Sequence, residues 1–390
     1  MRSREMRKQC RPTSSRNQEF TINNKTVAII GTRGYPSYYG GFETAVRKLA
    51  PYLADAGWDV IVYGRSGSTK VDDPEKDPRI RTIETRGIQT KSISTLSYGL
   101  TACLNAARIK PDAALVMNVA NGYFLPFLKI RRIPTLVNVD GIEWDRAKWG
   151  RLAKAIFRGG ARFTARFGDR MVYDSHAIAE RWESEFRVQG DFIPYGGDSP
   201  NALPLETGLT HRGYVLVVAR FVPENTIPEF LDAAQTIARQ WPVVIVGSSG
   251  YGGELDQRVS QMAENNANIW WLGHVSDDKR LLSLWQHAGV YFHGHSVGGT
   301  NPTLVQAMAT ETPIVARDTV YNREVLGEFG RYCAPEGSSI SSAVLDLMAD
   351  TGAQDSQAKA FARRAREVYT WEKVCSAYVD ALSKLVNIER

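Results

Sequence analysis

The sequence predicts an α/β protein built from two doubly wound, parallel-sheet domains with a cleft between them. Its 390 residues exceed what one ordinary hydrophobic core accommodates, and they suffice for two domains of typical size. Short apolar runs alternate with segments of helical periodicity, an order that is typical of parallel sheets. This series occurs twice, before and after a linker near 196–213.

The first series begins with the continuous apolar run 26–30, which suits a strand buried on both faces of a sheet. A glycine-rich turn at 31–41 follows, and then a helix whose apolar side chains recur with helical spacing from Phe42 to Leu53. Gly57 ends this helix. The remaining predicted strands of this series are 58–63, 113–117, 135–139 and 170–173.

The second series begins after Pro204. Its predicted strands are 214–219, 242–246, 268–272, 290–293 and 313–316, with helices at 227–239, 254–264, 278–286 and 302–309. A last helix at about 371–386 lies beyond the second sheet. We therefore predict a Rossmann-like domain at 25–200, a second one at 201–370 and a C-terminal helical segment at 371–390.

Composition and charge exclude several classes of protein. No apolar run reaches the ~20 residues that span a bilayer and no signal-peptide core is present, which predicts a cytoplasmic protein. The four cysteines lack disulfide or metal-ligand spacing, which predicts reduced, buried thiols. Much of the net charge of +6 lies in residues 1–24, a predicted disordered basic tail. Because no nucleic-acid-binding motif follows the tail, its expected partner is an anionic membrane at the inner face of the plasma membrane, and a solvated extension without a role is the alternative.

Two glycine-rich loops lie at the carboxyl ends of predicted strands, where parallel sheets bind ligands. In the first loop, Gly40 and Gly41 precede a helix start, where free N–H groups attract anions. This loop matches neither G-x-G-x-x-G nor a P-loop. A tight strand-to-helix turn and a loop that binds phosphate or substrate are therefore both open.

The second loop follows the predicted strand 290–293. Gly298 and Gly299 give an open backbone, Asn301 is a good N-cap and Pro302 a good first helical residue. The loop therefore predicts an anion site, with an ordinary capped helix as the alternative. No metal site is predicted, because the histidines of this loop have no third ligand nearby. Its polar side chains are His293, His295, Ser296, Thr300 and Asn301.

Charged side chains also end two predicted strands. Arg220 ends 214–219, where a guanidinium group would offset the charge of a leaving diphosphate. Asp140 and Glu143 follow 135–139 and are candidates for accepting a proton or binding sugar hydroxyls. Trp144 is a candidate for stacking on a sugar ring. A surface salt bridge and solvated carboxylates are the alternatives at these positions.

Together these segments resemble the GT-B fold, and the second half resembles glycosyltransferase family 4, a retaining group. The final helix with Trp371 is similar to the helix that crosses back to the first domain in that fold. More narrowly, GTRGYPSYYGGFET, DGIEWDRAKW, RFVPEN and HSVGGTNPTL are similar to a bacterial subgroup that includes rhamnosyltransferases of polysaccharide assembly. The similarity extends from about residue 25 to 385.

The resemblance implies transfer of rhamnose or another hexose from a dTDP- or UDP-sugar to a glycan or polyprenyl-linked acceptor, without a metal or other cofactor. It implies that the second domain binds the donor and the first domain the acceptor. The implied catalytic residues are Asp140, Glu143 and Arg220. The implied donor-binding residues are Arg220, Asn225, Gly298, Gly299, Thr300, Asn301 and Gln306, and the implied residues of the cleft and acceptor side are Gly40, Gly41, Glu43 and Trp144.

The chain departs from the family pattern in two respects. The family carries two glutamates eight residues apart, where this chain has Gly298 and Gln306. The second carboxylate holds the ribose hydroxyls in the family, so we expect Gln306 to bind them without charge assistance. The family lysine that follows the arginine is replaced, since Glu224 and Asn225 stand there. A non-catalytic nucleotide-sugar-binding subunit is therefore an alternative, and an NAD-dependent oxidoreductase is a weaker one because the dinucleotide fingerprint is missing.

Overall fold

The computed structural model describes residues 24–38, 40–69, 72–88, 94–146, 149–250 and 252–387. The predicted basic tail, except Asn24, lies outside these residues, so its disorder stays a prediction. Within the described residues no helix has the length and apolar character needed to cross a bilayer. No group of three or more His, Cys, Asp or Glu side chains in these ranges is arranged to hold a metal ion.

The first domain contains a parallel sheet of seven strands. They are β1 Lys25–Ile30, β2 Trp58–Arg65, β3 Arg81–Thr85, β4 Ala113–Met117, β5 Thr135–Asn138, β6 Arg170–Tyr173 and β7 Gly190–Phe192. Their order is β3-β2-β1-β4-β5-β6-β7, and each neighbouring pair is parallel. The chain changes direction across the sheet between β1 and β4, the kind of position at which doubly wound sheets open a ligand crevice.

Helices cover both faces of this sheet. One face packs against α1 Gly41–Asp55 and, from the far end of the chain, α13 Trp371–Asn387. The other face packs against α2 Ser94–Ile109, α3 Leu125–Ile130, α4 Arg151–Phe167 and α5 His176–Phe186. Because both faces are covered, the central strands are apolar along their length, and every residue of β4 is buried.

The second domain repeats this architecture with six parallel strands in the order β10-β9-β8-β11-β12-β13. The strands are β8 Val215–Val218, β9 Val243–Val246, β10 Ile269–Gly273, β11 Val290–His293, β12 Ile314–Arg317 and β13 Arg331–Cys333. The helices are α6 Ile227–Ile237, α7 Glu254–Asn265, α8 Asp278–His287, α9 Pro302–Ala309, α10 Val320–Leu326, α11 Gly337–Met348 and α12 Thr351–Val368. The predicted fold class, two doubly wound parallel-sheet domains, is confirmed.

Three strands were not predicted from the sequence: β3, β7 and β13. All three lie at sheet edges, and each has partly exposed positions. An edge strand is covered on fewer sides, so it lacks the continuous apolar run that marked the central strands.

Three of the four cysteines lie in the described part of the chain. Cys103, Cys333 and Cys375 are buried and free. Burial raises the pKa of the Cys103 thiol to about 12 and that of Cys375 to about 12. Such thiols carry almost no thiolate near neutral pH, so we expect them to be unreactive.

Candidate active site

The two predicted glycine loops face each other where the domains meet. A Cβ placed on Gly41 would lie 3.2 Å from Cγ of Pro302 in the second domain. A Cβ placed on Gly141 would lie 3.3 Å from the Cα of Gly298. The carboxyl-terminal ends of β1 and β5 in one domain therefore approach the loop after β11 in the other.

Gly298 and Gly299 are required by the geometry of this second loop. Gly298 has φ +96°, a conformation that side chains with a Cβ rarely adopt. A Cβ on Gly299 would lie 2.1 Å from Oδ1 of Asp174, far inside a normal contact distance. The two glycines thus allow the loop to pass directly over the end of β6.

The remainder of the loop joins the domains and starts α9. The backbone N–H of Thr300 donates to the carbonyl of Asp174 at 3.2 Å, and the Thr300 hydroxyl donates to the same oxygen. Asn301 is the N-cap of α9, since its Oδ1 accepts from the Thr303 amide at 3.1 Å. The amides of Gly298 and Gly299 have no hydrogen-bond acceptor among the described residues. They lie just before the positive end of α9 and are available to an anion.

An arginine from each domain lies near this loop. Arg220 is exposed at the carboxyl end of β8, as predicted. Arg146, which was not assigned a role from the sequence, has its Nη2 4.0 Å from the Cβ position of Gly298. Burial, and then Arg220 and Arg146, lower the pKa of His295 to about 3. Both cations therefore act on the same point of the loop, and His295 stays neutral near neutral pH.

Glu143 holds Arg146 in this position. Its Oε1 lies 2.5 Å from Nε of Arg146, and its Oε2 accepts from Nε1 of Trp149 at 2.9 Å. Both carboxylate oxygens are engaged and the residue is only 5% exposed. Glu143 therefore positions Arg146 in this structure, and its role as a proton acceptor or sugar ligand stays a prediction.

Asp140 occupies a strained turn at the end of β5. Its φ of +59° lies in the left-handed region, which costs a non-glycine residue about 1–3 kcal/mol and is concentrated at functional sites. The Asp140 amide donates to Oδ1 of Asn138 at 2.9 Å, and Nδ2 of Asn138 donates to the Tyr378 hydroxyl at 2.7 Å. The turn that carries Asp140 is thus fastened to α13.

Asp174 is a second carboxyl group at the site, and sequence reasoning missed it. It is 3% exposed, and its Oδ1 has no hydrogen-bond partner among the described residues. Burial, followed by the charge of Asp140, raises the pKa of Asp174 well above its usual range. The signal was available, because Asp174 directly follows a buried strand, as Asp140 does.

The first turn of α5 is capped by a carboxylate from the second domain. Glu324 on α10 accepts from Oγ of Ser175 at 2.7 Å, from the amide of His176 at 2.7 Å and from the amide of Ala177 at 3.2 Å. A carboxylate at a helix N-terminus is favourable because it meets free N–H groups and the positive end of the helix dipole. This contact clamps the two domains together beside the loop 298–301.

Comparisons with known proteins agree with this architecture. Residues 207–368 match the family model of glycosyl transferases group 1, and residues 24–198 match a domain of unknown function, DUF1972. Sucrose-phosphate synthase from Thermosynechococcus elongatus superposes with a TM-score of 0.77 at 18% identity, over 94% of this chain and 100% of that one. Anabaena HepE in complex with UDP-glucose superposes with a TM-score of 0.72 at 15% identity, over 93% of this chain and 100% of that one.

The chain has the GT-B fold. Two curated relatives were found for part of it. O-antigen chain mannosyltransferase B of Escherichia coli is 22% identical over 210 residues, 52% of this chain and 54% of the relative. Phosphatidyl-myo-inositol mannosyltransferase of Mycobacterium leprae is 30% identical over 210 residues, 51% of this chain and 55% of the relative. The chain thus spans about half the length of the curated relatives it matches.

Two residues of this GT-B chain with predicted ligand contacts, Trp144 and Asn225, are buried in the structure, and their contacts with a ligand stay predictions. Trp144 is 6% exposed and packs edge-on against Trp182 and Phe186, with ring centroids 6.2 and 5.8 Å away. It belongs to the core of the first domain and not to the surface of the cleft. Asn225 is 5% exposed, and its Nδ2 donates to the carbonyl of Arg220 at 2.9 Å. It shapes the turn behind Arg220 instead of facing a donor.

Gln306 also has a different position from the one the sequence predicted. Its Oε1 accepts from the Asp198 amide at 3.0 Å, and its Nε2 donates to the Asp198 carbonyl at 2.7 Å. The Asp198 carboxylate in turn pairs with Nζ of Lys48 on α1 at 2.7 Å. Gln306 therefore binds the interdomain linker with both polar atoms, and contact with a ribose stays a prediction.

The first glycine loop of the GT-B fold is fixed by Glu43. This side chain is 6% exposed, and its Oε1 accepts from the Arg33 amide at 3.1 Å. A Cβ on Gly40 would lie 3.5 Å from its Oε2. Glu43 thus shapes the loop that brings Gly40 and Gly41 to the cleft.

Proposed function

We propose that this chain is a retaining glycosyltransferase that moves a sugar from a nucleoside diphosphate to an acceptor hydroxyl. One observation carries the proposal: unengaged amides of Gly298 and Gly299 lie at the start of α9, flanked by Arg146 and Arg220 from opposite domains. Preorganised N–H donors and guanidinium groups of this kind stabilise the charge that develops on a departing diphosphate. The match of residues 207–368 to glycosyl transferases group 1 supports the same reaction class.

The acceptor would enter from the first domain, beside Asp140 and Asp174. In the proposed reaction the leaving phosphate takes the proton of the acceptor hydroxyl on the same face of the sugar. The chain's own groups then orient the donor and acceptor and neutralise the diphosphate. Closure of the domains excludes water, which would otherwise hydrolyse the donor. We propose no metal or other cofactor for this step, because the two guanidinium groups supply the positive charge.

For the sugar, we propose a hexose or 6-deoxyhexose, with mannose and rhamnose as the first to be tried. Mannose follows from the two mannosyltransferase relatives, and rhamnose from the four sequence motifs, two in each domain, that resemble rhamnosyltransferases. The donor nucleoside is thymidine or uridine, and UDP-glucose in the HepE complex supports testing uridine. The acceptor is a glycan or a polyprenyl-linked glycan of cell-surface polysaccharide synthesis.

The test is a thermal-shift screen followed by a transfer assay. Nucleoside diphosphates and their sugars are expected to raise the unfolding temperature, and NADH is not. Arg146→Gln and Arg220→Gln should abolish the shift, whereas Arg280→Gln, which removes a surface pair with Glu206, should leave it intact. Stabilisation by NADH alone would exclude the proposed reaction class.

A second candidate is a subunit that binds a nucleotide-sugar without transferring it. Two observations about Gln306 favour it. A glutamine has no carboxylate to offer where the resemblance places the ribose contact, and both polar atoms of Gln306 bind the Asp198 backbone. Release of nucleoside diphosphate in the presence of lipid-linked acceptors separates the two candidates. Binding without release across a panel of donors and acceptors would establish the second one.

A further inference from the structure

One face of the first domain is unusual in exposing apolar side chains. Of the nine large apolar side chains exposed among the described residues, five lie on α2, α3 and α4. We call the solvent side of these three helices the basic apolar face. Ile130 is 78% and Leu152 is 77% exposed, more than any other large apolar side chain in the described ranges. The remaining three members of this set are Leu104, Phe127 and Phe163.

The three helices of this face are rich in basic residues, two of which, Lys129 and Arg158, pair with the carboxylates of Asp169 and Glu185. Segments 94–110, 119–132 and 151–167, which include these helices, contain ten lysines and arginines and no aspartate or glutamate. Ten of the chain's 48 basic residues therefore lie in the three segments that carry the exposed apolar side chains, and no acidic residue lies in these segments. Since α3 contacts both α2 and α4, the three helices form one continuous surface.

Most of the positive charge on α4 is not neutralised by the protein. Arg158 pairs with Glu185. Arg151, Arg162 and Arg166 have no carboxylate within 4.0 Å among the described residues. Helical spacing places these three arginines on one stripe and Leu152 and Phe163 on an adjacent stripe of the exposed side. A helix with a basic stripe beside an apolar one is typical of segments that lie in the plane of a membrane interface.

The face is continuous with the candidate active site. The chain runs from Arg146 at the site to the first residue of α4, Arg151, through a short connection that contains Trp149. The Trp149 ring lies 5.2 Å from that of Phe157 on α4, so Trp149 packs on the helix. Anything that binds at Leu152 would therefore lie next to the acceptor side of the cleft.

We propose that the basic apolar face docks the chain on an anionic lipid bilayer. The exposed apolar side chains would enter the interface between headgroups and acyl chains, and the unpaired arginines would contact lipid phosphates. Charge complementarity selects anionic lipid, because each basic residue near such a surface adds attraction that a zwitterionic surface lacks. The docking stands independently of the proposed transfer activity, because it is measured without donor or acceptor.

The experiment is co-sedimentation of the full chain with vesicles of phosphatidylcholine, with and without phosphatidylglycerol. Binding is expected only with phosphatidylglycerol, and it should weaken at high salt. The double variant Leu152→Glu/Phe163→Glu should lower the partition coefficient by roughly tenfold or more. The matched control is Val320→Glu/Phe329→Glu, which changes two exposed apolar side chains of the second domain and should leave binding unchanged.

Further variants separate this face from the N-terminal tail. Arg162→Gln/Arg166→Gln should weaken binding by roughly tenfold while retaining every apolar side chain. The variant Arg2→Gln/Arg4→Gln/Arg7→Gln tests the tail. If the basic apolar face docks the chain, this variant should keep most of its binding to vesicles that contain phosphatidylglycerol. Unchanged thermal unfolding of each variant shows that folding is intact.

Three outcomes would overturn the proposal. In the first, binding is lost with the tail variant and kept by both face variants. In the second, the full chain binds neither kind of vesicle. In the third, Leu152→Glu/Phe163→Glu converts a dimer to a monomer in sedimentation velocity, which would assign the face to a second copy of the chain.

Discussion

Replacing Gln306 with glutamate tests whether this side chain stabilises the interdomain linker or binds the ribose of a nucleotide. In the structure Gln306 donates to the carbonyl of Asp198 at 2.7 Å and accepts from the amide of the same residue at 3.0 Å. A glutamate keeps the bond from the Asp198 amide. It replaces the other bond with a carboxylate oxygen that faces a carbonyl oxygen.

The magnitude follows from that exchange. Leaving a partly buried acceptor unsatisfied costs about 1–3 kcal/mol, and repulsion between the two oxygens adds to it. We therefore expect Gln306→Glu to lower the unfolding temperature by roughly a few degrees. Because the linker is loosened, we also expect no gain in donor binding or transfer.

The assay is thermal unfolding with and without nucleoside diphosphate, and Gln357→Glu is the matched control. Gln357 makes the same two kinds of backbone contact, accepting from the Ile314 amide at 2.8 Å and donating to the Phe329 carbonyl at 2.9 Å. Both variants should lose stability. If Gln306→Glu unfolds like the unmodified chain and binds nucleoside diphosphate more tightly, the linker assignment is refuted and the ribose assignment stands.

Three further predictions concern the contacts between the domains. Glu324→Gln should weaken the cap of α5 by about 1 kcal/mol, and a larger radius of gyration in small-angle X-ray scattering would show the opening. Gly299→Ala should reduce nucleotide binding because its Cβ meets Asp174 at 2.1 Å, whereas Gly150→Ala, with nothing within 4 Å, should be neutral in calorimetric titration. His295 has its pKa lowered to about 3 from an ordinary 6.5, so the unfolded chain binds more protons between these values and stability falls as pH drops through this window. His295→Gln should flatten that loss in denaturant titrations, and an unchanged pH profile would contradict the burial of this ring.

The sequence predicted the central strands because they are buried on both faces. The run in β8 and the run in β11 are wholly buried, so their apolar residues are continuous and mark strands without further information. The edge strand β13 has two partly exposed residues of three, and nothing in its composition separates it from a loop. Its pairing with β12 depends on a contact that only the folded second domain makes.

The residues of the candidate site also differ in how far the local sequence indicates them. Arg220 and Asp140 are predicted site residues because a position at the end of a strand can be read from the local sequence. Glu324 was not found because its function depends on the first turn of α5, which is 147 to 149 residues away along the chain. Trp144 was placed in the cleft because a tryptophan near a sugar site suggests stacking, yet Trp182 and Phe186 bury it. Local patterns thus locate the ends of strands, and long-range packing decides which side chains there remain accessible.

The charges at the interface indicate how donor binding and domain closure would be coupled. In the structure Arg146 of the first domain and Arg220 of the second both act on His295 in the same loop and lower its pKa. Two cations drawn to one place oppose closure until an anion lies between them. The contact of Glu324 in the second domain with the cap of α5 in the first offsets part of this cost. A diphosphate at Gly298 and Gly299 would turn the repulsion into attraction from both domains, so the donor should close the cleft around itself before the acceptor reacts.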